Sequence, residues 1–124
     1  MSGIKGPSNL YGNKNQKATN NISYPYAKSF LSSTIYDHFS RHGKEFGTKS
    51  ITDYENKAIY FANHISTIAE SFVDSNNTTY KYNSISNTLI IVNNKGQIIS
   101  FFKPKAGRDY YLKQIEKRKN NERK

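Results

Sequence analysis

Thr88-Leu89-Ile90-Ile91-Val92-Asn93-Asn94-Lys95-Gly96-Gln97-Ile98-Ile99-Ser100-Phe101-Phe102-Lys103-Pro104 consists of two strand-like runs joined by a turn. Both runs are dominated by β-branched and aromatic residues, and Asn-Asn-Lys-Gly between them is turn chemistry, so the segment reads as an antiparallel hairpin. Pro104 has no N–H to give to a ladder and ends the second strand. A third run, Thr79–Tyr82, precedes the hairpin and extends it to a meander.

Upstream of the strands the periodicity changes. Thr52 followed three residues later by Glu55 reads as a capping box, and Tyr54, Ala58, Phe61, Ala62, Ile65, Ile68, Ala69 and Phe72 recur at helical spacing. A second helical pattern, one helix or two short ones, runs from Tyr26 to about Phe46, with Gly43 and Gly47 as stop signals. Helices followed by a meander imply α+β, with N-terminal helices packed on a small twisted antiparallel sheet. Residues 1–22 are too polar to bury a face and read as a linker or arm. The expected single domain spans 23–124, with a helical half at 23–74, a strand-rich half at 78–115 and a basic tail at 116–124. Residues 113–124 fit a further strand, a short helix or both.

A chain of 124 residues suits one domain. Its 35% hydrophobic content is low, but ten Tyr and seven Phe enlarge the area that each apolar position buries, so the expected core is aromatic-rich. The absence of cysteine excludes disulfides, a thiolate nucleophile and cysteine-bound zinc. The net charge of +10 is unevenly spread. Residues 1–22 carry +3, residues 23–94 are neutral, and residues 95–124 hold ten basic against three acidic residues. Such a cluster either forms a solvated basic face or meets a phosphate backbone by counterion release.

Few residues can do chemistry. His38 and His42 lie at i and i+4, on one face of a helix. His38-Phe39-Ser40-Arg41-His42 lacks the Glu of a zinc-protease motif, and zinc held by His38, His42 and His64 would have neither acid nor thiolate ligands, so no metal or other cofactor is expected. His42 reads either as a cation at a helix C-terminus or as a general acid or base. The second reading suits RNA, whose 2′-hydroxyl is a built-in nucleophile. Cleavage then needs only proton transfer and donors around the phosphorane-like transition state. On the last strand, alternation without a bulge puts Ile98, Ser100 and Phe102 on one face and Ile99, Phe101 and Lys103 on the other. Ser100 and Lys103 are then either solubilising edge residues or phosphate contacts. Tyr80, Tyr82, Tyr110 and Tyr111 either complete a sheet surface or stack on splayed bases.

Two elements together carry a resemblance. His38-Phe39-Ser40-Arg41-His42-Gly43-Lys44-Glu45-Phe46-Gly47 followed by Thr52-Asp53-Tyr54, and Tyr80-Lys81-Tyr82 with Leu89–Val92, Gly96, Ile98, Ser100–Pro104, Gly107 and Tyr110-Tyr111, resemble bacterial polymorphic-toxin C-terminal domains over about residues 36–115. These are the contact-dependent inhibition toxins of the barnase/EndoU/colicin/RelE type. The resemblance implies a metal-independent ribonuclease acting on transfer RNA in a target cell's cytoplasm, delivered as part of a larger toxin and neutralised by a cognate acidic immunity protein. By position it implies catalytic roles for His42, Ser100 (where the family pattern more often has threonine), Lys103 and Tyr110, with Glu45 as a further candidate. His38, Tyr80, Tyr82, Lys105, Arg108 and Lys113 are the expected substrate contacts. The alternatives are a non-catalytic RNA-binding module that uses the same charge and tyrosines, and an interaction domain whose basic face meets an acidic protein.

Overall fold

The computed structural model describes residues 27–122. The expected arm at 1–22 lies outside them. In chain order the elements are β1 (Ser29–Phe30), α1 (Ile35–His42), a 3-10 turn (Gly43–Phe46), α2 (Ile51–Asn63), β2 (Glu70–Val73), β3 (Thr79–Asn83), β4 (Thr88–Val92), β5 (Gln97–Phe102) and α3 (Arg108–Glu122). The class is α+β. The sheet is mixed, in the order β1-β5-β4-β3-β2: β2 to β5 pair antiparallel, while β1 joins the β5 edge in parallel, opposite Gln97 and Ile98. The expected purely antiparallel sheet therefore needs correcting. A two-residue strand has no sequence signature. It exists because Phe30 is buried in the core and the Glu55 carboxylate accepts the Phe30 N–H at 2.8 Å. Ordering two backbone residues costs about 1–2 kcal/mol each. The Glu55 bond and the backbone bonds from Lys28 to Gly96 and from Leu31 to Ile98 contribute about 0.5–1.5 kcal/mol each, and burying a phenylalanine adds about 1.5–3 kcal/mol.

Helix α2 also departs from expectation. Its N-cap is Ser50, whose Oγ accepts the Asp53 N–H at 3.0 Å, and Glu55 bonds to β1 rather than closing a capping box with Thr52. Tyr54, Ala58 and Ala62 form its buried stripe, but the helix stops at Asn63. There the buried Lys81 ammonium donates to the carbonyls of Phe61, Ala62 and His64, and the Asn63 side chain ties both the N–H and C=O of Ala27. Ile65 and Ile68, read as helical core, are 52% and 49% exposed, and Phe72 sits in β2.

The sheet is covered on both faces. Ile90, Val92, Ile98 and Phe101 pack under α1 and α2 with Phe30, Tyr54, Ala58 and Ala62. Tyr80, Tyr82 and Leu89 pack on the other face under Tyr111 of α3, joined by Phe102, Tyr110 and Ile115. The segment left between strand and helix is thus a helix that runs unbroken from Arg108 and absorbs most of the basic tail.

Ile98 and Phe101 share a face although three positions apart. Val92 pairs with Ile98 but Ile91 pairs with Ser100, so a bulge at Ile99 resets the alternation. The face partners read from unbroken alternation are corrected accordingly: Ile98 leaves the face of Ser100 and Phe102.

Candidate functional site

Because β1 ends opposite Ile98, the C-terminal half of β5 is left without a strand neighbour on that side. Helix α1 and the 3-10 turn lie along it. Gly47, at φ 68°, closes the turn with its N–H on the carbonyls of Gly43 and Lys44. Gly43 is needed for a different reason. Its φ is −56°, but a Cβ there would come within 2.7 Å of the Phe39 ring, so only glycine lets the chain pass from α1 into the turn at this distance. That passage brings Glu45 back beneath His42.

The Glu45 carboxylate is shared. Oε2 lies 2.9 Å from His42 Nδ1, and Oε1 accepts the Lys103 backbone N–H at 2.9 Å. One acid therefore fixes the imidazole and ties it to the end of β5. With Nδ1–H donating to the carboxylate, the free lone pair sits on Nε2. The His42 and Glu45 side chains are 17% and 32% exposed, enclosed but reachable.

The His42 ring lies 5.3 Å from Phe102, centroid to centroid, and Phe102 meets Tyr110 edge-on at 5.4 Å. Ser100 precedes Phe102 by two residues on the same face, about 7 Å along the strand. It is half-buried, and its hydroxyl makes no hydrogen bond among the described residues. His38 stands beside His42 with ring centroids 5.9 Å apart and packs on Phe30 at 5.5 Å. Burial holds its pKa below the ordinary histidine value, helped by the positive charges of Arg41 and His42. His38, His42, Glu45, Phe102 and Tyr110 thus form one run of contacts at the end of β5, with Ser100 two residues back on the Phe102 face.

Other expected site residues lie elsewhere. The Lys103 ammonium turns to the α1–α2 face, where it donates to the Ser86 carbonyl at 2.6 Å and to Thr88 Oγ1 at 3.2 Å, over the Phe46 ring. It joins the site through its amide rather than its charge, because the residue after Phe102 points to the opposite face. Tyr80 and Tyr82 are each 2% exposed beneath α3, which corrects their expected base-stacking role. The Tyr82 hydroxyl donates to Asn87 at 2.6 Å, and the Tyr80 hydroxyl faces Asp74. Tyr111 is buried against Tyr82, and burial raises its pKa. Arg108 forms a two-pronged pair with Glu70 at 2.7 Å, fastening the start of α3 to β2 instead of standing free for phosphate. Lys105 and Lys113 are exposed, with no ion pair among the described residues. His64 stacks on Tyr60 at 4.7 Å, and no group of three or more His, Cys, Asp or Glu able to hold a metal occurs among the described residues. Nor is any described helix long and apolar enough to cross a membrane.

Sequence reasoning missed the Phe102 wall and the Lys103 amide. The i, i+3 spacing of His42 and Glu45 was the available signal for the dyad; the contact of Glu45 with Lys103, 58 positions away, had none. No protein-family model and no curated protein matches the chain.

Proposed function

We propose that this protein is a metal-independent endoribonuclease in which His42 is the general base. The observation that carries the proposal is the Glu45 carboxylate held between His42 Nδ1 and the Lys103 amide, which leaves Nε2 as a fixed proton acceptor beside a half-open surface. In this reaction Nε2 takes the proton of a ribose 2′-hydroxyl and the 2′-oxygen bonds to phosphorus. The bond from phosphorus to the 5′-oxygen breaks, and that oxygen takes a proton from the Tyr110 hydroxyl, which regains one from water. The products are a 2′,3′-cyclic phosphate and a 5′-hydroxyl. In this reading Ser100 donates to a phosphate oxygen, and the exposed cations Lys105 and Lys113 attract the backbone. The sequence resemblance to polymorphic-toxin domains supplies the setting: transfer RNA as substrate, delivery into a competitor's cytoplasm, and an acidic immunity protein over the basic face.

The test is incubation of the purified protein with total RNA and with transfer RNA in excess chelator, beside His42→Ala. Chelator-resistant cleavage lost in the variant is expected. RNA that shifts on a gel but remains intact would refute catalysis and favour the non-catalytic module, a reading supported by α3, where Lys113, Lys117, Arg118 and Lys119 are all exposed. Slowed growth on expression, relieved by a small acidic product encoded next to this chain, would support the toxin setting.

A further inference from the structure

Among the described residues, one buried side-chain nitrogen or oxygen has no hydrogen-bond partner: His38 Nδ1. It sits one helical turn before the His42 base. An imidazole with a buried, unpartnered Nδ1 has three options. Protonating both nitrogens buries an uncompensated N–H and a charge. Placing the single proton on Nδ1 orphans a donor. Placing it on Nε2 leaves only a lone pair in the apolar contact with Phe30, and buried under-satisfied acceptors are better tolerated than orphaned N–H groups. The third option is favoured. Nε2 is neither buried without a partner nor hydrogen-bonded among the described residues, so its N–H faces outward.

The geometry points to His38 as a second catalytic imidazole, a neutral Nε2–H donor to a non-bridging oxygen of the scissile phosphate. This deepens the ribonuclease reading and rests on it. The two histidines of α1 have opposite tautomeric duties set by what each Nδ1 meets. Glu45 makes His42 Nε2 an acceptor; the lack of a partner for Nδ1 among the described residues makes His38 Nε2 a donor. Their rings are 5.9 Å apart, so one phosphodiester can span them, its 2′-hydroxyl on His42 and a phosphate oxygen on His38. The charges acting on His38 are Arg41, His42 and Asp37, all on α1, while β1 presents only the Phe30 ring. Arg41 is itself paired with Asp37 at 2.8 Å. The lowered pKa agrees with a ring that stays neutral.

Two measurements test this. The first is nitrogen-resolved NMR of the histidine rings, in the free protein and with an RNA oligonucleotide carrying 2′-deoxy substitutions that it cannot cut. His38 is expected as the Nε2–H tautomer at neutral pH, with its Nε2 resonance shifting on oligonucleotide binding in wild type and in His42→Ala. An Nδ1–H tautomer, a protonated ring at neutral pH, or no shift on binding overturns the assignment. The second is single-turnover cleavage. His38→Ala is expected to lower the rate by about 10²-fold, as for loss of one transition-state donor. His38→Gln, which keeps an N–H at similar reach, stays within about tenfold of wild type, and the acid limb of the pH profile stays where it lies in wild type. Equal losses in both variants, or a displaced acid limb, refute the donor role. If wild type cuts no RNA, the ribonuclease reading fails, while the uncut oligonucleotide still reports whether His38 meets a phosphate.

Discussion

Replacing Glu45 with glutamine removes one acceptor from a residue that serves two donors. The carboxylate takes both the His42 Nδ1–H and the Lys103 N–H at 2.9 Å, whereas an amide has a single oxygen. If that oxygen stays with Lys103, the new NH₂ faces Nδ1, which must then accept; the ring proton moves to Nε2 and the base is lost. A hydrogen bond to a charged group contributes about 1.5–3 kcal/mol, and partial exposure of Glu45 places this one near the lower end. At 1.36 kcal/mol per tenfold, the expected loss in rate is about 10- to 20-fold. The expected loss of stability is smaller, about 1 kcal/mol, because one bond survives. Single-turnover cleavage of a fluorescent RNA in excess chelator measures the first quantity, and thermal unfolding followed by circular dichroism the second. In a His42→Ala background the same substitution should change the rate no further, since Glu45 acts through the imidazole. A wild-type rate in Glu45→Gln, or losses that add in the double variant, would refute the dyad.

Other expectations follow from packing and burial. Gly43→Ala drives a methyl into the Phe39 ring and should cost about 1–3 kcal/mol, read as a lower Tm, with cleavage falling further because the turn carrying Glu45 shifts. Burial lowers the Lys81 pKa to about 8, so between pH 8 and 10 the unfolded chain binds more protons than the folded one. Stability should therefore rise with pH across that window, by at most about 2–3 kcal/mol in urea titrations, and Lys81→Met should flatten it. Above pH 10 the buried Tyr54 and Tyr111, with raised pKa values, reverse the trend because their unfolded forms ionise first. Tyr82→Phe removes the bond to Asn87 and should cost about 1 kcal/mol in chemical denaturation while leaving RNA affinity unchanged; a large loss of affinity would return Tyr82 to the binding surface.

Local patterns carried most of the fold. The hairpin from Thr88 to Phe102 and its turn were legible because adjacent β-strands need only alternation, β-branched residues and an Asn/Gly turn, all written within fifteen residues. The class and the His42–Glu45 spacing were legible for the same reason. What depended on distant partners was not. The helical period continues through Ile68, but α2 ends at Asn63 because Lys81, from another strand, supplies donors to its last carbonyls. Strands β1 and β2 depend on distant partners: β5, the core around Phe30 and the Glu55 carboxylate for β1, and β3 for β2.

The site divides along the same line. Spacing along α1 nominated His38 and His42, since neighbours four apart on a helix lie on one face, while Glu45, in the 3-10 turn, was nominated by the resemblance. Tertiary structure alone decided that Lys103 contributes an amide and not an ammonium, that a bulge at Ile99 separates the face of Ile98 from that of Phe102, which meets Tyr110, and that Tyr80 and Tyr82 are core. The reason is physical. A strand shows each side chain to one of two faces according to register, and register is set by pairing partners and bulges far away in the chain, so identical residues become site or core depending on contacts that no local pattern records.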